Sequence, residues 1–281
     1  MELLRYSPSA QLGHYVEYFW TMQCLRDAVL PMQMFANAAS GIIVQHRNGH
    51  SVLRRSNGLQ RFNSADPPNV FVYGKRTRPG QLIARGPFEL TGVLFRPQAL
   101  QTLLKVDPSH MNNGPVNVDD ALPTKIADRL LNAGSAAERR TLLARELGAL
   151  VVDACDDDPV VALSLSLAQR HVCTIRIPQL LKELMISERQ LERRFARAIG
   201  VSPHQYLRIL RFEEAVRLLR AGRFEKLSDL ACELNYVDQS HFAKDTREFS
   251  GYSPTGLSAT VRGAVAMPCS LILATPLQLA A

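Results

Sequence analysis

The chain lacks any C-x-x-C pair. Its five cysteines, Cys24, Cys155, Cys173, Cys232 and Cys269, are odd in number and far apart, which argues for buried reduced thiols and against a zinc site or a disulfide framework. No stretch reaches the roughly 18 apolar residues of a membrane span, so no membrane partner is expected. The opening MELLRYSPSAQLG has no basic segment leading into an apolar run, so no secretion signal is expected and a cytoplasmic protein is the expectation. Histidine and acid do not cluster. His46 and His50 flank a turn, but the His/His/Glu set of a β-barrel metal site cannot be assembled around them, and surface turn histidines are the better reading. No metal and no cofactor are expected.

What is present suffices for two globular domains. The 281 residues are 46% apolar, and the formal charge of +7 suits a polyanionic partner, although a basic balance alone is weak evidence. Residues 1–110 favour β-structure. After a short amphipathic segment, 12–20, come β-favouring runs at 30–35, 42–46, 52–55, 70–73, 81–84 and 90–95, a spacing that suggests a small antiparallel barrel or jelly roll. Asn48-Gly49 predicts a hairpin between the second and third runs, while Pro67-Pro68 and Arg78-Pro79-Gly80 mark looser turns. Trp20, Phe71, Tyr73, Phe88 and Phe95 either line an effector pocket or form ordinary core. Arg96 either meets an anionic effector at the barrel mouth or pairs with Glu89 or Asp107. Helical patterns return at 97–104, 118–131 and 136–152. The last two predict an antiparallel hairpin that either dimerises the protein or covers one face of the barrel. The acidic run DACDDDP, 153–159, reads as a linker.

The stretch SERQLERRFARAIG, 187–200, reads as a bounded helix: Ser187 caps it, Gln190 completes a capping box, and Gly200 stops it. Leu191, Phe195 and Ala198 or Ile199 fall on one buried stripe. Arg189, Glu192, Arg193, Ala196 and Arg197 share the opposite face, whose three arginines fit phosphates and guanine edges, or else a solvated surface. The stretch occurs twice. Shifting DQSHFAKDTREFSGYSP by 51 positions lays Phe242 on Leu191, Lys244 on Arg193, Gly251 on Gly200, and Ser253-Pro254 on Ser202-Pro203. A short amphipathic helix precedes each copy, at 178–184 and 228–234, and a long helix at 203–220, capped by Ser202 and opened by Pro203, joins them. This is a duplicated helix-turn-helix.

Residues 160 to 262, above all SPHQYLRILRFEEAVRLL and YVDQSHFAKDTREFSGYSP, resemble the DNA-binding domain of the AraC/XylS family of bacterial transcription regulators. The resemblance implies that the two recognition helices enter successive major-groove segments on one side of a duplex. Base contacts would come from Arg189, Glu192 and Arg193 in the first and from Gln239, Ser240 and Lys244 in the second. Phosphate contacts would come from Arg194, Arg197, Ser202, Arg208, Arg211 and Arg247. The chain departs from the family where Leu181 replaces a small residue, where Met185 and Asn235 replace the turn glycine, and where Thr246 replaces an aromatic. Met tolerates positive φ poorly, so a strained or altered first turn is expected.

The stretch VLFRPQALQTLL followed by VNVDDAL resembles the cupin-like sensory domains that precede this DNA-binding domain. The expected fold class is therefore α+β: a small antiparallel β-barrel with a helical hairpin, then an all-α domain with two helix-turn-helix units on a long helix. Expected boundaries are 1–155 for a sensory and dimerisation domain, 156–262 for the DNA-binding domain, and 263–281 for an apolar tail, VAMPCSLILATPLQLAA from 265, read as a disordered or surface-docked extension. The expected function is a non-enzymatic, sequence-specific transcription regulator with promoter DNA, a small-molecule effector, RNA polymerase and a second copy of itself as partners. One alternative is a ligand-independent regulator controlled by protein contacts. Another is a repair protein with an AraC-like module, which needs a reactive cysteine setting that Cys24 in MQCLR and Cys155 in DACDD do not offer.

Overall fold

The computed structural model describes residues 2–25, 29–46, 52–55, 70–85, 87–112, 114–122, 125–222, 224, 226–262, 265–266 and 272–274. A six-stranded antiparallel sheet carries the N-terminal part, in the order β1 (Glu2–Tyr6), β2 (Val16–Cys24), β8 (Phe88–Phe95), β4 (Ser40–His46), β6 (Val70–Tyr73) and β9 (Pro115–Asn117). Its alternation sorts the side chains into two faces. The row Phe19, Val93, Ile42, Val72 runs across four strands and packs beneath helices, whereas the row Trp20, Gly92, Ile43, Phe71 lies on the other face. Gly92 is required there, since a Cβ would stand 2.3 Å from the Trp20 ring.

A second sheet has the order β10 (Val265–Ala266), β11 (Ile272–Ala274), β3 (Val29–Met34), β7 (Gly80–Arg85) and β5 (Val52–Arg55). Two expectations change here. The runs at 42–46 and 52–55 do not pair: β4 bonds to β6 and β8, and β5 to β7, so the chain changes sheets between them. The Asn48-Gly49 turn, Pro67-Pro68, His50 and Cys269 lie outside the described residues. The C-terminal tail is not a mere surface extension, because β11 pairs with β3 from Ile272↔Met34 to Ala274↔Met32 and so returns to the N-terminal sheet. An exposed edge strand is a template for pairing, and the tail supplies that pairing in cis.

Helices α1 (Ala99–Thr102), α2 (Val118–Ala121), α3 (Ala127–Asn132) and α4 (Ala136–Leu150) cover the first sheet. The predicted single helix at 118–131 is two helices. Leu122, which precedes Pro123, is extended, and Asp119 Oδ1 accepts from Ile126 N and Ala127 N to begin α3 afresh. Leu143 and Leu147 of α4 are fully buried against the sheet, and Arg139, 1% exposed, pairs with Glu89 of β8 while donating to Ala133 O at 2.9 Å. The covering role of the hairpin is thus what this chain displays.

The C-terminal part is helical: α5 (Pro159–Arg170), α6 (Ile177–Leu184), α7 (Glu188–Ile199), α8 (Pro203–Ala221), α9 (Leu227–Glu233), α10 (Gln239–Ser250) and α11 (Pro254–Arg262). Asp158 caps α5 by accepting from Val160 N and Val161 N. Two cores form. Leu180, Leu191, Phe195 and Ile199 pack with Tyr206 and Leu207 of α8, while Phe212, Val216 and Leu219 of the same helix pack with Leu230, Phe242, Phe249 and Leu257. Among the described residues no helix is long and apolar enough to cross a membrane.

The two parts are not merely linked through DACDDDP. Phe35, just after β3, is fully buried in the second helical core, with its ring 6.2 Å from Phe212 and 6.3 Å from Tyr252. Ala36 N donates to Phe249 O at 2.9 Å, and Ala38 N to Glu213 Oε1 at 2.8 Å. At the other unit, Asn112 Nδ2 donates to Gly200 O at 2.6 Å beside the 3-10 turn Pro108–Met111.

Candidate nucleic-acid interface

Each recognition helix, α7 and α10, starts and stops on its own chemistry. Ser187 Oγ accepts from Gln190 N while the Gln190 side chain accepts from Ser187 N, and Gly200 ends the helix at φ +83°. Asp238 Oδ1 accepts from His241 N at 2.7 Å, and Gly251 ends α10 at φ +80°. The turns before them also agree: Met185 and Asn235 have φ of 51° and 56°, the left-handed geometry that the glycine of the family pattern would adopt freely. The first turn is therefore not altered in shape. Its methionine sits in a disfavoured region with its side chain 89% exposed.

Buried stripes turn the remaining faces outward. Leu191, Phe195, Ala198 and Ile199 are buried, and Arg189, Glu192, Arg193 and Arg197 are exposed; on α10, Phe242, Thr246 and Phe249 are buried, and Gln239, Ser240, Lys244 and Arg247 are exposed. Thr246 fits the core by bonding its hydroxyl to Phe242 O at 2.7 Å. Ser202 is exposed, and its hydroxyl caps α8 by accepting from Gln205 N.

Three expected phosphate ligands are otherwise engaged. Arg211 is 6% exposed and stacks over the Tyr236 ring at 5.2 Å, inside the second unit. Arg208 bonds Asp245 Oδ1 and Glu248 Oε2, each at 2.6 Å, and lies 4.8 Å from the Phe249 ring centroid, so it clamps α8 to α10. Arg194 reaches Asp158 Oδ2 at 2.7 Å, which ties α7 to the start of α5. Their spacing on the helices resembled that of surface cations; only the packing of neighbouring helices assigns them inward partners.

The expected effector residues divide likewise. Trp20, Phe71, Tyr73 and Phe88 share the sheet face turned away from the helices, and the Trp20 indole N–H is buried with no acceptor among the described residues. Phe95 points to the opposite face, into the helix-covered core. Arg96 is exposed and donates to Gly13 O at 2.8 Å, pairing with neither Glu89 nor Asp107. Glu89 belongs to Arg139, and Asp107 caps its own turn through Ser109.

Sequence reasoning missed the residues that join the halves. FANAAS, 35–40, carries no cap, motif or periodicity that would mark Phe35 as part of a distant core. Glu213, on α8, was equally silent. Burial, opposed by the Ala38 hydrogen bond and reinforced by Glu17, pushes its carboxyl up to about 7.

Comparison with known proteins finds a separate match on each part of the chain. Residues 180–259, from α6 to α11, match a family described as a helix-turn-helix domain, and residues 4–117 match a domain of unknown function (DUF6597). No curated protein matches the chain. Among solved structures, ToxT from Vibrio cholerae is similar at 11% identity, covering 86% of this chain and 98% of that one with a TM-score of 0.46. A structure of ToxT with unsaturated fatty acid bound gives 12% identity, 88% and 96% coverage and a TM-score of 0.46. The C-terminal domain of AraT, a response regulator from Geobacillus stearothermophilus, is 23% identical over 37% of this chain and 87% of that one, with a TM-score of 0.35. The family match lies over two tandem helix-turn-helix units carried on one long helix, and residues 180–259 are accordingly a helix-turn-helix domain of the AraC type.

Proposed function

We propose that this DNA-binding transcription regulator reads two adjoining major-groove segments, one with α7 and one with α10, under the control of a small molecule held by its N-terminal part. The observation that carries the reading is the repeated display: Arg189, Glu192 and Arg193 on one capped helix, Gln239, Ser240 and Lys244 on the other, all exposed above buried stripes. Arg197, Ser202 and Arg247 are the phosphate ligands of this reading, with Arg194 contributing where Asp158 releases it. Residues 1–155 act as the sensory domain and 156–262 as the DNA-binding domain. Support for an effector comes from the aromatic face of Trp20, Phe71, Tyr73 and Phe88, where a buried N–H awaits an acceptor.

Binding-site selection on the parent, Arg193→Ala and Lys244→Ala tests the reading. Each variant should lose about 1–3 kcal/mol at the selected site and relax preference in its own half, the halves lying about one DNA turn apart. Uniform loss without a change of preferred sequence, or loss of preference at the same base pairs, would refute two independent readers. Parent affinity should fall steeply with salt, with a slope of about −0.9 per phosphate neutralised.

A further inference from the structure

A cleft of about 600 Å³ lies between the two parts of the chain, outside both sheets, with one wall from α1 and the turn that follows it and the other from α7. Lys105, Arg193 and Arg197 bring three positive charges to it against the single carboxylate of Asp107, with Gln101 and Ser109 as neutral polar groups. The carboxylate keeps its charge but is engaged within its own turn, so the lining retains an excess of positive charge. Asp107 Oδ1 accepts from Ser109 N at 2.8 Å and from Ser109 Oγ at 2.7 Å. None of the three cations has a hydrogen-bonding or ionic acceptor among the described residues.

Arg193 and Arg197 stand at i and i+4, which places their guanidinium forks on one side of α7, about 6 Å apart at Cβ. Forked donors match the paired oxygens of phosphate and carboxylate, and a lysine across the gap adds a point charge. The volume falls within the roughly 300–1,000 Å³ of small-molecule sites. Lys105 is held there at φ 56°, a left-handed conformation that non-glycine residues seldom adopt.

We propose that this cleft binds a compact polyanionic metabolite, a phosphate ester or polycarboxylate, bridging Lys105 of the N-terminal part to Arg193 and Arg197 of the first recognition helix. The inference rests on the reading that α7 presents those arginines to DNA. An anion seated there takes them from the duplex and fastens α7 to the N-terminal part, so ligand and DNA exclude each other. The site is separate from the aromatic face of the sheet.

The test uses the full chain with pyrophosphate and citrate as probes, against sodium chloride at matched ionic strength, on a duplex recovered by selection. Either probe, at about nine times its own dissociation constant, should weaken duplex binding about tenfold beyond the salt control. Without DNA it should raise the melting temperature. Lys105→Asn, which tolerates positive φ, should bind the duplex within about twofold of the parent yet lose both responses. Response to pyrophosphate alone assigns a phosphate ester, and to citrate alone a polycarboxylate. Probes that act only as salt, or a Lys105→Asn variant that responds like the parent, overturn the proposal. So does a Lys105→Asn variant whose salt slope for DNA drops by about one with no anion present, since Lys105 would then be a phosphate contact. A chain that binds no duplex sinks the regulatory reading instead, and the melting arm still reports on the cleft.

Discussion

The two helix-turn-helix units share a backbone plan and differ in how the N-terminal part holds them. In the first, α7 lies against α1 and the turn Pro108–Met111, with Gly200 so close to the Pro108 backbone that a Cβ there would stand 2.6 Å away, Asn112 reaching Gly200 O, and Arg193 and Arg197 facing Lys105 across an open cleft. In the second, contact is apolar and central, because Phe35 fills the core between α8, α10 and the turn at Tyr252. A seam between two surfaces can part without emptying either core, whereas withdrawing a buried phenylalanine leaves a cavity. The difference teaches that the first unit rests against the N-terminal part while the second is built around a piece of it.

The sharpest way to break that comparison is Phe35→Ala. Truncating a fully buried phenylalanine should cost about 3–5 kcal/mol in denaturant unfolding, with amide exchange accelerating in α8–α11 while α6 and α7 stay protected. Equal loss in both units would mean that Phe35 does not belong to the second core alone. The same contact bears on modularity: a fragment starting near Asp158 should be less stable than the same residues in the full chain, because it lacks this side chain.

Next in size is Arg208→Ala. Asp245 is 1% exposed, and its Oδ2 has no hydrogen-bond partner among the described residues, so loss of Arg208 leaves a buried carboxylate with the His241 ring 3.9 Å away and no arginine beside it. A cost of roughly 2–3 kcal/mol is expected, below the ~3–5 of a fully enclosed pair because the guanidinium keeps some hydration. A variant of unchanged stability that binds all DNA sequences more weakly would restore Arg208 to the phosphate set.

Glu213 lets the tie between the second unit and the N-terminal part be titrated. Burial raises its folded value to about 7, against about 4.3 for a free glutamate. The folded chain therefore holds the extra proton between those values, and stability should fall as pH rises through that window and level off above it. Glu213→Gln keeps an acceptor for Ala38 N–H and should flatten the slope in urea melts at pH 5 and pH 8. A slope unchanged by the substitution would move its source elsewhere.

The smallest effect sharpens the comparison of the turns. Both Met185 and Asn235 occupy left-handed backbone, but asparagine does so at little cost and methionine at about 1 kcal/mol. Met185→Gly should stabilise the chain by about 0.5–1 kcal/mol in thermal melts, while Asn235→Gly should be near neutral, the glycine's own chain entropy offsetting part of each gain.

Legibility in the sequence followed the range of the interaction. Ser187, Gln190, Ser202, Asp238, Gly200 and Gly251 act on neighbours within a turn, and each sits in the structure where its local chemistry places it. Strands at 52–55 and 70–73 fell on β5 and β6 because β-branched and apolar alternation is also local. Partnership between strands was not legible. Asn48-Gly49 suggested that β4 and β5 adjoin, yet they lie in different sheets, and nothing in VAMPCSLILA announced a strand pairing with β3. The inward partners of Arg194, Arg208 and Arg211 were illegible for the same reason, since a helix face is outward only until another element covers it.

The sequence by itself determined the duplicated unit, its caps and stops, and the exposed row of each recognition helix, because these follow from periodicity and from bonds between residues three or four apart. Tertiary structure alone decided which arginines take partners within the fold, which aromatic residues share a sheet face, and how Phe35 and the C-terminal strands bind the halves together. Those outcomes depend on surfaces brought together from a few tens to more than two hundred residues apart, where burial and pairing arise from the whole chain's packing and leave no mark in the local pattern.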